Sequence, residues 1–222
     1  VDIGYSCTTD ASGNIYLAGD TQQEFLPASS GMTTIGAHQS AYGGGYSDGF
    51  LVKFDSNGQM QWGTYYGGSL LDVSVSCATD ASGNVYMSGN TQSATGIATS
   101  GAHQTTVNGA FLVSFNSSGV RQSGTYCGGI KNVCTTDASG NVYMTGYTQS
   151  NSGIATAGAH QTANGNSGYN DAFLLKFNGI SLGINENIND KLFTIYPNPA
   201  LSILNINADY QLINQHYTII DG

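Results

Sequence analysis

Short apolar runs separated by Gly, Asn and Asp recur along the chain, and no stretch keeps the 3.6-residue periodicity of an amphipathic helix. In one representative stretch the apolar residues collect around Ser74 to Thr79, Val85 to Ser88, Phe111 to Phe115 and Val120 to Tyr126. These segments are rich in Val, Tyr, Phe and Thr and are bounded by turn formers, so each predicts a β-strand. The runs Phe50 to Phe54 (FLVKF), Phe111 to Phe115 (FLVSF) and Phe173 to Phe177 (FLLKF) are continuous instead of alternating. Such strands need cover on both faces, which calls for an all-β fold in which sheet stacks on sheet.

The same elements return in one order. Cys7 to Gln22 (CTTDASGNIYLAGDTQ), Cys77 to Gln92 (CATDASGNVYMSGNTQ) and Cys134 to Gln149 (CTTDASGNVYMTGYTQ) align almost without freedom. Each is followed by Gly-Ala-His-Gln, at His38, His103 and His160, and then by the apolar run. Trp62-Gly-Thr-Tyr-Tyr-Gly-Gly68 and Ser123-Gly-Thr-Tyr-Cys-Gly-Gly129 close the first two units, whereas the third lacks this element and is incomplete. Length differences between units fall in the connections, as expected of a repeat array. A four-stranded sheet per repeat, covered on both sides by its neighbours, describes β-propeller-like blades.

Read as Phe-Leu-Val-x-Phe, Gly-Thr-Tyr-x-Gly-Gly and Thr-Asp-Ala-Ser-Gly-Asn-Val-Tyr-x-x-Gly-x-Thr, each unit resembles the bacterial SBBP β-propeller repeat family of secreted and surface proteins. The resemblance covers residues 1–178 and implies a scaffold with no particular chemistry. Three units, the last incomplete, fall short of the four to eight blades of a closed ring. Either further blades precede Val1, or the array is open and its edges take a partner. The chain opens at Val1 without the basic start and apolar run of a signal peptide, which suggests a piece cut from a longer precursor.

Residues 179–192 break the repeat with several asparagines and read as a linker. In residues 193–222, Pro197 and Pro199 forbid a helix and set an extended turn before an alternating strand at Ile203 to Ile206, the start of a small β-sandwich-like module. Tyr196, Pro197, Asn198 and Pro199, followed by Leu204-Asn-Ile206 and Ile220-Asp-Gly222, resemble the start of a type A C-terminal sorting domain of type IX secretion. That resemblance implies a Bacteroidetes-type protein handed to the secretion machinery, destined to be secreted or held at the outer-membrane surface. The later strands and basic terminus of that family are missing here, so the sorting domain is partial.

Composition narrows the partners. With Lys+Arg 5, Asp+Glu 14 and a net charge of −9, the chain cannot line a nucleic-acid duplex or coat an anionic membrane. No apolar run is long enough for a membrane span. At 40% hydrophobic and 10% aromatic residues it can build a core, and its 31 glycines read as turns.

Candidate chemistry is sparse. Asp10, Asp80 and Asp137 open Asp-Ala-Ser-Gly-Asn turns that offer oxygens to calcium, but one carboxylate per turn fits a hairpin with Gly-Asn at positive φ better. His38, His103 and His160 recur once per unit and would have to converge on one point to hold zinc; a loop contact repeated per unit is the simpler reading. Cys7, Cys77 and Cys134 share one repeat position, are too far apart to bridge, and read as small buried residues. Cys127 stands outside the pattern, and its spacing leaves a Cys127–Cys134 bridge open. Glu24 and Glu186 are the only glutamates, and no nucleophile–base constellation is visible, so a non-enzymatic module with no cofactor is expected. Rigid blades presenting loops 22–32 and 41–47 to a glycan or protein put Tyr42, Tyr46 and Tyr169 forward as ligand-binding residues. The alternatives are an accessory region of a secreted enzyme whose catalytic domain lies outside this chain, and a structural protein that closes its ring by dimerising.

Overall fold

The computed structural model describes residues 1–22, 31–150, 154–155, 159–161 and 169–178. The proposed linker, the sorting segment with Tyr196, Pro197, Asn198 and Pro199, and most of the Gln22 to Met32 loop lie outside them. Eleven strands and no helix make up the described residues: β1 (Asp2–Thr9), β2 (Ile15–Gln22), β3 (Ser47–Phe54), β4 (Met60–Tyr66), β5 (Asp72–Thr79), β6 (Val85–Thr91), β7 (Ala110–Phe115), β8 (Arg121–Cys127), β9 (Ile130–Thr136), β10 (Val142–Thr148) and β11 (Asp171–Phe177). The chain is all-β. Consecutive strands pair antiparallel into a first sheet β1-β2-β3-β4, a second sheet β5-β6-β7-β8 and a third sheet β9-β10-β11. Among the described residues the third sheet has no fourth strand, in line with its missing Gly-Thr-Tyr-x-Gly-Gly element.

The repeated sequence has local reasons. In the first hairpin turn Asp10 Oδ1 accepts the Ser12 and Asn14 N–H groups, while Oδ2 accepts Asn14 Nδ2 and the Tyr16 hydroxyl. The same four bonds recur at Asp80 and Asp137. Gly13, Gly83 and Gly140 turn the chain at positive φ; the following asparagines do not, contrary to the expected Gly-Asn pair. Further along, each first strand carries a bulge, at Tyr5 between the pairs Gly4↔Gly19 and Ser6↔Ala18 and at Val75 between Ser74↔Gly89 and Ser76↔Ser88. The bulge drives a first-strand carbonyl towards the second strand. A Cβ on Gly89 would sit 2.0 Å from the Val73 carbonyl oxygen, and one on Gly19 2.0 Å from that of Ile3. Glycine is required there for space, with φ playing no part.

The sheets stack face to face. Each has a leading face, carrying Cys7, Cys77 or Cys134, and a trailing face, carrying Ser6, Ser76 or Val133. The second sheet's leading face (Cys77, Val85, Met87, Phe111, Val113, Phe115) shares a core with the first sheet's trailing face (Tyr16, Ala18, Leu51, Trp62, Tyr66). The third sheet's leading face (Cys134, Val142, Met144, Phe173, Leu175, Phe177) closes in the same way on Ala78, Tyr86, Ala110 and Leu112 of the second. This is why the Phe-Leu-Val-x-Phe runs are apolar throughout: β7 is buried at every position.

Hydrogen bonds fix the register of the stack. Ser6 Oγ accepts the Cys77 N–H at 3.1 Å, and Ser76 Oγ accepts that of Cys134 at 3.2 Å. The Thr79 hydroxyl donates to the Thr9 carbonyl at 2.8 Å, and that of Thr136 to the Thr79 carbonyl at 2.7 Å. Cys77 and Cys134 are buried as expected, whereas Cys7 is exposed, because no described sheet precedes its leading face. The bridge left open between Cys127 and Cys134 is not formed. Both are buried free thiols, and burial pushes each thiol pKa up.

Candidate functional site

The Gly-Ala-His-Gln loops serve two neighbours at once. Gln39 donates its N–H to Thr64 Oγ1 and accepts the Tyr65 N–H through its carbonyl, pinning the loop to β4; Gln104 does the same with Thr125 and Tyr126 on β8. The preceding histidine reaches the next sheet. His38 packs on Phe115 with ring centroids 5.9 Å apart, and His103 on Phe177 at 6.0 Å. Burial, aided by the Arg121 guanidinium 3.3 Å from Nε2, lowers the His38 pKa to about 4, and burial also lowers that of His103. His38 and His103 therefore act as uncharged ring contacts between sheets. Among the described residues no group of three or more His, Cys, Asp or Glu is placed to hold a metal ion.

The tyrosines picked out in the sequence occupy different settings. Tyr46, just before β3, is 59% exposed and its hydroxyl donates to Gln22 Oε1 at 3.3 Å. Tyr169, just before β11, is 72% exposed. Tyr42 is half-buried: its ring stands edge-on to Tyr65 and its hydroxyl donates to the Gly45 carbonyl, which makes it a brace of its own loop more than a free contact residue. Burial, together with nearby carboxylates led by Asp48, raises the Tyr42 pKa to about 12, so its proton stays in place. Tyr42 and Tyr46 thus flank one Gly-rich loop, while Tyr169 belongs to the third sheet.

Beside that loop lies a carboxylate cluster that sequence reasoning missed. Asp48 on β3 and Asp72 on β5 are both 0% exposed and belong to different sheets. Asp48 Oδ1 and Asp72 Oδ2 converge on Gly67, lying 2.6 and 2.9 Å from where a Cβ on that residue would stand. Asp72 is well supplied with donors: Gly68 N–H, the Ser93 hydroxyl and the Thr91 hydroxyl. Asp48 accepts Gly43 N–H and Gln39 Nε2 on one oxygen, and its Oδ1 has no partner. Burial, opposed by the Gly43 bond and reinforced by Asp72, raises the Asp48 carboxyl to about 7. Sealed from solvent, the pair can hold a proton at the joint between sheets, a structural task. Its sequence traces are that Asp48 recurs as Asp171 in the third unit, where Gln161 Nε2 meets the carboxylate as Gln39 Nε2 does Asp48, with Gly109 in the second, and that Asp72 recurs as Asp2 in the first.

A polar hollow of about 200 Å³ opens where β4 meets the β7–β8 turn, lined by Thr34, Ile35, Gln61, Trp62, Thr64 and Ser118 among others. Trp62 Nε1 and Lys53 Nζ both donate to the Ser117 carbonyl at 3.0 Å, so the indole is a bolt between the first two sheets. Ile35 stands fully exposed at the rim. No protein-family model matches the chain, and no curated protein was found to be similar to it. No helix among the described residues is long and apolar enough to cross a membrane.

Proposed function

We propose that this chain is a non-enzymatic, exported or cell-surface display module, built of SBBP-type β-propeller repeat blades and directed outward through a C-terminal type IX sorting segment. The observation that carries the reading is the division of labour within each repeat. Residues that recur, such as the Asp turns, the Gly-Ala-His-Gln loops and the first-strand Ser/Cys contacts, are spent on hairpins and joints. Exposed side chains fall in the loops whose length differs between units: Tyr46 and Tyr169 hold the same position four residues before the apolar run, where the second unit has Val107, and Ile35 stands where the second unit has Ser100. A rigid stack holding exposed aromatics on loops of differing length suits recognition of a glycan or protein surface. The acidic composition leaves nucleic acid outside that partner class. A glycan array probed with the chain and with its Tyr46→Ala, Tyr169→Ala variant tests it. Binding lost in the variant is the expected result; no binding by the intact chain overturns a glycan ligand.

A further inference from the structure

The corner where Asp48 and Asp72 meet is built differently from its counterpart at the next joint. By position in the repeat Gly109 stands for Asp48, Gly129 for Asp72 and Gly128 for Gly67. A Cβ on Gly128 would meet Ile154 Cδ1 and, at 3.2 Å, Asn108 Nδ2, so an apolar side chain and a neutral amide fill that second corner. The second joint still makes the stacking bonds of the first, Ser76 Oγ with the Cys134 N–H and the Thr136 hydroxyl with the Thr79 carbonyl. Holding two sheets together does not require the carboxylates, and burying them is costly. Their hydrogen-bond partners are backbone N–H groups, hydroxyls and one amide, with no cationic side chain among them.

What the first corner offers is oxygens aimed at one spot. Asp48 Oδ1, buried and without a hydrogen-bond partner, lies 2.6 Å from the Cβ position that Gly67 leaves empty, and Asp72 Oδ2 lies 2.9 Å from it. The Gly68 carbonyl oxygen and Asp48 Oδ2 both border the missing Cβ of Gly43 on the facing loop. Ser74, two residues beyond Asp72 and 0% exposed, carries a hydroxyl with no partner and crowds Gly49, the neighbour of Asp48. Two carboxylate oxygens that face each other with no donor between them repel, and a cation turns that repulsion into attraction. We propose that this corner binds one divalent cation of the calcium class, held by Asp48 Oδ1, Asp72 Oδ2 and the Gly68 carbonyl, with water completing the shell. A donor set made only of hard oxygens selects calcium over softer metals. The ion takes the place of the proton that the pair otherwise holds, and ties the Gly43 to Gly45 loop to the connection between β4 and β5. The site is separate from the Asp10, Asp80 and Asp137 turns and independent of any glycan ligand.

Millimolar calcium added to the chain after stripping with a chelator should raise its melting temperature by about 5 °C. Terbium in place of calcium should luminesce when tyrosine is excited, and calcium should displace it. Asp48→Asn and Asp72→Asn should each weaken binding by about tenfold or more, because ligand charge sets calcium affinity. Gly67→Ala puts a methyl between the two oxygens without changing any charge and should abolish binding. Asp10→Asn should leave the calcium response as in the parent, which separates this corner from the hairpin turns. Circular dichroism identifies the variants that fold. Should Asp72→Asn not fold, Asp48→Asn and Gly67→Ala decide the matter, the first of these keeping an oxygen for the Gly43 N–H. No melting shift with no terbium luminescence, a response that survives in Asp48→Asn and Gly67→Ala, or one lost in Asp10→Asn overturns the proposal.

Discussion

Asp80 and Asp48 are both buried carboxylates with opposite roles. Asp80 accepts four hydrogen bonds, and replacing it leaves four donors without an acceptor next to a buried Tyr86. Asp80→Ala should cost about 2–4 kcal/mol in urea unfolding, since each buried donor left unpaired is penalised. Asp10→Ala, in the more open first turn, should cost less. Asp48 behaves differently because its folded pKa of about 7 lies above the unfolded value near 3.8. Its ionised form is disfavoured in the fold, so its contribution is best at low pH and is lost as pH rises from about 4 through 7. Asp48→Asn should remove that slope and raise the melting temperature at pH 8 by about 2–4 °C, measured against the parent across pH 4–8. His38 has the opposite sign. Its folded pKa of about 4 lies below 6.5, so its contribution is complete above pH 6.5 and is lost as pH falls towards 4. His38, His103 and His160 were read from sequence as loop contacts, and His38 and His103 pack on rings of the next sheet; the Asp48–Asp72 pair was illegible as a pair because its members come from different sheets and meet only through the stack.

At the level of elements the repeat supplied most of the architecture. Continuous apolar runs announced strands covered on both faces, and β3, β7 and the leading face of β11 are buried accordingly. The recurring glycine of Tyr-x-x-Gly was legible only as a turn or strand punctuator. Its cause is the bulge at Val75, a feature of strand pairing that leaves no mark on the glycine's own segment. Gly89→Ala would drive a methyl into the Val73 carbonyl and the Phe111 ring, and should destabilise the protein by about 3 kcal/mol in a denaturant titration. An unaffected midpoint would mean that the bulge relaxes freely.

For the whole molecule, stability belongs to the stack more than to any sheet. The first sheet alone would expose Tyr16, Ala18, Leu51, Trp62 and Tyr66, which the second sheet now covers. Residues 1–68 expressed alone should therefore fail to fold cooperatively, giving no sigmoidal urea transition, whereas the parent chain unfolds in one step. A native-like transition in that fragment would refute the dependence of sheet on sheet. What the sequence by itself determined was the unit: four strands, their order, the Asp turns and the incomplete third copy, all set by residues close in the chain and repeated with the same local chemistry. What only the tertiary structure decided was how units meet. Serine and threonine hydroxyls facing the next sheet and an exposed Cys7 where its counterparts are buried depend on contacts between residues some sixty or seventy positions apart, and two carboxylates converging on Gly67 on contacts between different sheets. Periodicity within a strand carries no information about which sheet will cover it.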